Sequence, residues 1–280
     1  MKKTIVIASL FAASLAFAGA TEITNEYVIG VLPITFTNRS EIIVSIPWVA
    51  EGGAVTTGIA VSNLVKTAGL TAGASEDDDG DKLSWYDIDD GKFQTWRLVA
   101  NGTTNYWKAT KDASGPLPKY ATMEPVLKRG EAAILTTSVK TNTIYVVGQL
   151  GSTAAVTNTI AAAKYDDKDK LTPSHTLVAP PRALVSYFDL NSLSYVSGSP
   201  DETRHTSGNI SHVGDMIITE ALEGLTLAYV YVDINGNKKW TPTYNLGSGV
   251  ARVPAGRGFW YQRATNTELK ITWDAPVAGN

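Results

Sequence analysis

The strongest constraint on this chain is that short β-patterned segments recur in one order at nearly one spacing. Ile43-Val44-Ser45-Ile46-Pro47 has a counterpart in Thr176-Leu177-Val178-Ala179-Pro180. Trp96-Arg97-Leu98-Val99, followed by Tyr106-Trp107, has one in Tyr229-Val230-Tyr231-Val232, followed by Lys239-Trp240. Pro47 and Pro180 lie 133 positions apart, as do Trp107 and Trp240. Gly80-Asp81 meets Gly214-Asp215 at 134, Gly130 meets Gly256 at 126, and Asn142-Thr143 meets Asn266-Thr267 at 124, so the second copy is shorter near its end. A chain that repeats itself in this way is expected to fold as two related units, roughly 40–151 and 174–274. Two copies are too few for a solenoid, which leaves two similar domains or one pseudo-symmetric body.

Both copies read as β. In the first, strands are expected over 83–88 and 93–99, joined by Asp89-Asp90-Gly91, with a return over 105–109 after the Asn101-Gly102 turn. Segments 132–137 and 143–149 are expected to pair as a further hairpin. In the second copy, 227–233 and 238–243 flank Asn235-Gly236, and 257–263 and 267–273 flank Ala264-Thr265-Asn266. Residues 27–36 read as an extra strand with Pro33 near an edge. Residues 62–68, stopped by Gly69, are the one short helical candidate, and no long 3.6-residue pattern occurs after residue 20. The expected fold is therefore all-β, with two related antiparallel β-sandwich or small-barrel units. The expected divisions are a signal peptide over 1–20, a first β unit with its N-terminal strand over 21–151, a linker over 152–173 and a second β unit over 174–280. Residues 201–209 read as a loop insertion in the second copy.

The opening residues point to export. Lys2 and Lys3 precede an uncharged apolar run from Ile5 to Ala18, and Ala18-Gly19-Ala20 places small residues at the −3 and −1 positions of a cleavage site. Cleavage after Ala18 is the alternative. The run is short for a span across about 30 Å of hydrocarbon, and polar residues follow at once. The formal charge is −3; losing Lys2 and Lys3 takes it to −5. An acidic chain does not suit a nucleic-acid backbone, and no later stretch is long and apolar enough for a helical span. The chain has no cysteine, which excludes disulfides, cysteine nucleophiles and thiolate metal centres.

Candidate chemistry is sparse. Glu76-Asp77-Asp78-Asp79-Gly80-Asp81 is the densest acidic cluster, and Asp77, Asp79 and Asp81 form a candidate calcium site. The EF-hand pattern fails, because with Gly80 as the turn glycine the twelfth position is Tyr86; a solvated acidic loop is the other reading. His205 and His212 share a polar stretch with Asp201, Glu202 and Asp215, at a spacing that matches no ligand motif. No Gly-x-Ser-x-Gly elbow or phosphate-binding glycine loop is present. Aromatics offer the remaining binding chemistry. Rings kept in both copies, such as Trp107 and Trp240, read as core, and Trp260, aligned with Ile134, reads as buried. Trp85, aligned near Thr219, is the candidate exposed ring for ligand binding.

Tyr27-Val28-Ile29-Gly30, Ile42-Ile43-Val44-Ser45-Ile46-Pro47-Trp48 and Gly258-Phe259-Trp260 are similar to segments of uncharacterised exported all-β bacterial proteins. The resemblance implies export and β structure, and no activity. The expected function is a non-enzymatic periplasmic or cell-surface protein with a structural or adhesive role, either self-associating or contacting a cell-surface glycan or protein. The alternatives are a carbohydrate-binding module that uses exposed aromatics, and a hydrolase whose carboxylates converge only in the fold. No cofactor other than calcium is suggested.

Overall fold

The computed structural model describes residues 7–8, 29–36, 41–45, 48–49, 59–60, 69–75, 80–87, 92–102, 104–110, 126–127, 130–139, 142–150, 156–180, 187–206, 209–220, 226–244, 246, 249–254 and 256–273. They are all-β: several antiparallel sheets, and one short 3₁₀ turn, Leu190–Ser192, as the helical element among the described residues. The helical candidate at 62–68 lies outside them.

Two five-stranded sheets dominate. The first runs, in spatial order, Glu41–Ser45, Ala132–Thr136, Lys82–Asp87, Lys92–Asn101 and Thr104–Ala109. The second runs Ser174–Val178, Phe259–Arg263, Met216–Glu220, Thr226–Ile234 and Asn237–Pro242, so the order of strands along the chain is the same in both. The hairpins within them follow the turn chemistry read from sequence. Gly102 has φ +61°, and Asn235-Gly236 has φ 55° and 83°, the left-handed pair that a two-residue hairpin loop needs. The Asp233 carboxylate accepts from the Gly236 N–H and tightens that turn.

Two smaller sheets carry the remaining long strands. Asn142–Leu150 pairs antiparallel with Ile29–Phe36 and Trp48–Val49, and Ile7–Ala8 lies parallel against Ile29 and Gly30. Pro33 lies opposite Tyr145, and among the described residues no second strand flanks Ile29–Phe36 at that position, as suits a proline. Leu269–Trp273 is flanked by Val156–Ile160 and Ser194–Ser197. Within the segment read as a linker, Val156–Ile160 forms a paired strand with a buried residue, Ile160. Residues 201–209 belong partly to a small hairpin, Arg204–Thr206 with Asn209–His212.

One local expectation is corrected. Ala132–Thr136 and Asn142–Leu150 are not a hairpin but lie in different sheets, as do Phe259–Arg263 and Leu269–Trp273. The cause is a buried aspartate in each half. Just past the first strand of each pair, the backbone N–H of Ser138 donates to Asp81 and that of Ala264 to Asp215, both at 2.8 Å. A carboxylate takes the donor that a cross-strand carbonyl would otherwise receive, and the chain leaves the sheet there.

The surroundings of the two aspartates agree further. Asp81 N–H donates to the Thr71 carbonyl and Asp215 N–H to the Asp201 carbonyl. Parallel bridges join Gly73 to Val99 and Thr203 to Val232. Gly80 and Gly214 are required by close approach: an added Cβ would lie 2.3 Å from the Leu98 carbonyl oxygen in one case and 2.3 Å from that of Asp201 in the other.

The core of the second half draws on both its larger sheets. Ile217, Tyr229, Trp240, Phe259 and Tyr261 from the five-stranded sheet meet Ile160, Leu269, Ile271 and Trp273 from the three-stranded one. Each side chain of this size contributes about 1.5–3 kcal/mol on full burial, so this cluster rather than any polar contact drives collapse. The opposite faces of the five-stranded sheets meet each other. Ile43 and Ala132 pack with Leu177 and Ala179, flanked by Tyr86, Ile134 and Trp260. Trp260 is half-buried there, edge-on to Tyr86, Phe93 and His175 at 5.9, 5.8 and 6.3 Å between centroids.

The aspartates differ in what they leave behind when removed. Among the described residues, Asp81 is reached by neutral donors: Thr71 N, Ser138 N and Ser138 Oγ. Asp215 also holds the buried Arg263 guanidinium at 2.6 Å. Asp215→Ala is expected to cost about 3–5 kcal/mol by stranding a buried cation, and Asp81→Ala about 1–3 kcal/mol. Urea unfolding of the two variants checks this; equal losses would show that the ion pair contributes nothing extra.

Candidate functional site

A half-open concavity among the described residues lies at the rim of the second half's core. It has a volume of about 320 Å³ and is lined by Leu190, Asn191, Leu193, Tyr195, Tyr231, Asn237, Lys238, Lys239 and Trp240. Three pieces of backbone build it. The 3₁₀ turn is capped by Asp189, whose carboxylate accepts from Asn191 N–H, and is pinned to the core by the fully buried Leu190, whose N–H donates to the Ala251 carbonyl. Tyr195 follows on the strand Ser194–Ser197. Tyr231 and Trp240 sit directly opposite each other on neighbouring strands, so their side chains share a face.

The pocket wall is a connected set of rings. Trp240 is buried, with Tyr231 tilted against it at 5.4 Å and Tyr261 edge-on at 5.7 Å. Its indole Nε1–H donates to the Tyr195 hydroxyl at 2.9 Å. Tyr261 in turn donates to Asp215, so the wall is tied to the aspartate brace below. Burial pushes the Tyr195 and Tyr231 phenols above the usual tyrosine range, and burial together with the Asp215 charge pushes Tyr261 well above it. At the rim, Lys238 is ion-paired with Glu202, whose hydrogen bond holds the ammonium above its ordinary range.

Asn191 has a second job. Asn237–Pro242 is the last strand of its sheet, so its outward N–H and C=O groups are open to another strand. The Asn191 carboxamide covers them at Trp240: its Oδ1 accepts from Trp240 N–H at 2.7 Å, and its Nδ2 donates to the Trp240 carbonyl at 3.3 Å. Two residues on, Pro242 has no N–H to offer. The edge is therefore closed to strand addition by one amide and one proline.

The residues singled out from sequence lie elsewhere. Asp81 is buried, and its carboxylate is turned to N–H and O–H donors, which makes it a brace for backbone; Asp77 and Asp79 lie outside the described residues. Trp85 is half-buried, on the sheet face that also carries buried Leu83, with Gln94 and Ala133 as cross-strand neighbours. His212 Nε2 lies 2.6 Å from Asp201 Oδ2 at the surface. Asp215 belongs to the Arg263 brace and Glu202 to Lys238, so the polar stretch divides into separate pairs. Among the described residues, no three His, Cys, Asp or Glu side chains converge as a ligand set. No helix among them is long and apolar enough to cross a membrane.

Sequence reasoning did not find Asn191, Tyr195 or Tyr231. One signal was present: Tyr231 stands where the matching segment of the first half has Leu98, a phenol in place of a buried aliphatic. Comparison with family models, curated proteins and solved structures finds no match.

Two outcomes follow from this geometry. Folding keeps Tyr195, Tyr231 and Tyr261 neutral beyond the pH where unfolded tyrosines ionise, so the stability they confer is complete below about pH 10 and is lost as pH rises through their folded values. Urea midpoints measured from pH 8 to 11 are expected to hold steady and then fall; a flat profile would contradict it. Asn191→Ala uncovers the Trp240 edge. It is expected to cost about 1–3 kcal/mol and to produce concentration-dependent association in sedimentation experiments.

Proposed function

We propose that this chain is an exported, non-enzymatic β protein of the periplasm or cell surface, with a structural or adhesive role, built from two related sandwich-like units that arose by internal duplication. The observation that carries the reading is reciprocal pairing between the halves. Val44 bridges to Arg257, and Glu131 bridges to Val178. Val44 and Val178 lie in the edge strands that match each other in sheet order, and Glu131 and Arg257 lie just before the matching second strands. By cross-strand register, in which Ile43 faces Ile134 as Leu177 faces Trp260, Val44 and Val178 hold the same place, one residue from the match read by sequence. Each half thus lends the other corresponding positions, as related units do when packed about a pseudo-two-fold axis.

Further bonds join the halves. Ala179 N–H donates to the Gly130 carbonyl and Gly258 N–H to that of Ile43. Arg257, buried, donates through Nη2 to the Thr35 carbonyl. Gly258 suits this seam because an added Cβ would lie 2.7 Å from both Ala132 Cβ and Ile43 Cγ2. The shared strand order and the repeated Gly-Asp brace support duplication. The apolar seam supports a stiff two-unit body that holds together without cysteine, as an oxidising exterior permits. The acidic balance, expected to be −5 after cleavage, favours partners other than nucleic acid.

Expression of the full chain with a C-terminal tag in a bacterial host tests export. A mature N-terminus at Thr21 or Gly19 in the envelope or periplasmic fraction is expected, and a cytosolic chain retaining Lys2 and Lys3 would overturn it. Light scattering and envelope-binding assays on the mature chain test the role. A monomer indifferent to envelope polysaccharide and protein would rule out structure and adhesion alike.

A further inference from the structure

We propose that the pocket between Leu190–Tyr195 and Tyr231–Trp240 binds an uncharged, hydroxyl-rich ligand of monosaccharide size. The volume of about 320 Å³ is at the small end for ligand sites, which run from about 300 to 1,000 Å³. The wall combines what a sugar ring presents. The half-buried Tyr231 ring, with the edge of Leu193, offers apolar surface for its C–H face. Beside them, Tyr195 and Asn237 line the pocket and offer polar atoms for its hydroxyls.

Charge selects against an ionic ligand. Lys238 is already paired with Glu202, and Asp233 also acts on its ammonium, so an anion would have to displace a carboxylate from it. A cation would meet no carboxylate among the lining residues. The Tyr195 oxygen accepts from Trp240 Nε1, which leaves its own proton to donate. The site is preorganised: Asp189 fixes the turn, Asn191 clamps the turn to the strand, and Trp240 is held from below by Tyr261. Little ordering is then left for binding to impose.

The pocket belongs to the second half. At the matching positions of the first, Leu98 replaces Tyr231, and Asn105-Tyr106 replaces Lys238-Lys239. The inference is independent of export and of the adhesive role, since purified chain suffices to test it. It also places ring chemistry away from Trp85.

The test is calorimetric titration and saturation-transfer NMR with glucose, galactose and N-acetylglucosamine, with glucuronate and glucosamine as charged controls. At least one neutral sugar is expected to bind saturably below about 10 mM, a range that includes weak millimolar sites. Tyr231→Leu, which copies the first half's Leu98, is expected to weaken that binding about tenfold by removing one ring and one hydroxyl, with little change in Tm. Asn237→Ala should weaken it at an exposed position with no burden on folding, and Trp85→Ala should leave it unchanged. Absence of neutral-sugar binding, preference for a charged sugar, or binding that survives both Tyr231→Leu and Asn237→Ala would each overturn the proposal.

Discussion

A buried carboxylate turned toward backbone N–H groups is the interaction on which this architecture depends. Asp215 lies wholly inside the protein and accepts from the Tyr261 hydroxyl, the Arg263 guanidinium and the Ala264 N–H. A buried charge is tolerated only when it is paired and hydrogen-bonded, and here the charge is matched by an equally buried arginine. The result is directional. The bond to Ala264 ends one strand and sends the chain across to the next sheet, so a single side chain sets both the fold's layering and the anchoring of its largest ring cluster. Asp81 does the same for the first half with neutral partners, and at lower stakes.

The two halves then meet through faces that would otherwise be wet. Trp260, with Tyr86, Phe93 and His175 around it, fills a seam framed by reciprocal backbone bridges. Hydrophobic burial supplies the attraction, while the bridges and the Gly258 contact fix the register. Without disulfides, stiffness has to come from such interlocking.

Stability and the candidate site are coupled in the second half. The Asn191 amide that closes an exposed strand edge also forms one wall of the pocket, and the tryptophan it clamps is joined through Tyr261 to Asp215. The strand edge is thus closed to strand addition at the same place where a pocket stays open beside it.

The sequence by itself determined the all-β character and the turns. Alternating apolar residues bounded by Asn-Gly need only local physics, because positive φ at Asn235 and Gly236 depends on no distant partner. It also marked the recurrence of Gly-Asp. What Asp81 does was not readable there, because an acid beside an acidic run is equally consistent with a metal loop and with a buried brace. The difference lies in Thr71 and Ser138, which the fold brings to it from ten and fifty-seven positions away. Tertiary structure alone decided that adjacent strands part into different sheets, since that turns on which acceptor captures one N–H. It alone assembled the pocket as well, from a turn near 191 and a strand near 240, because non-local packing leaves no periodicity in either segment. The recurring segments thus marked which stretches of the chain correspond, and packing decided where the two halves differ.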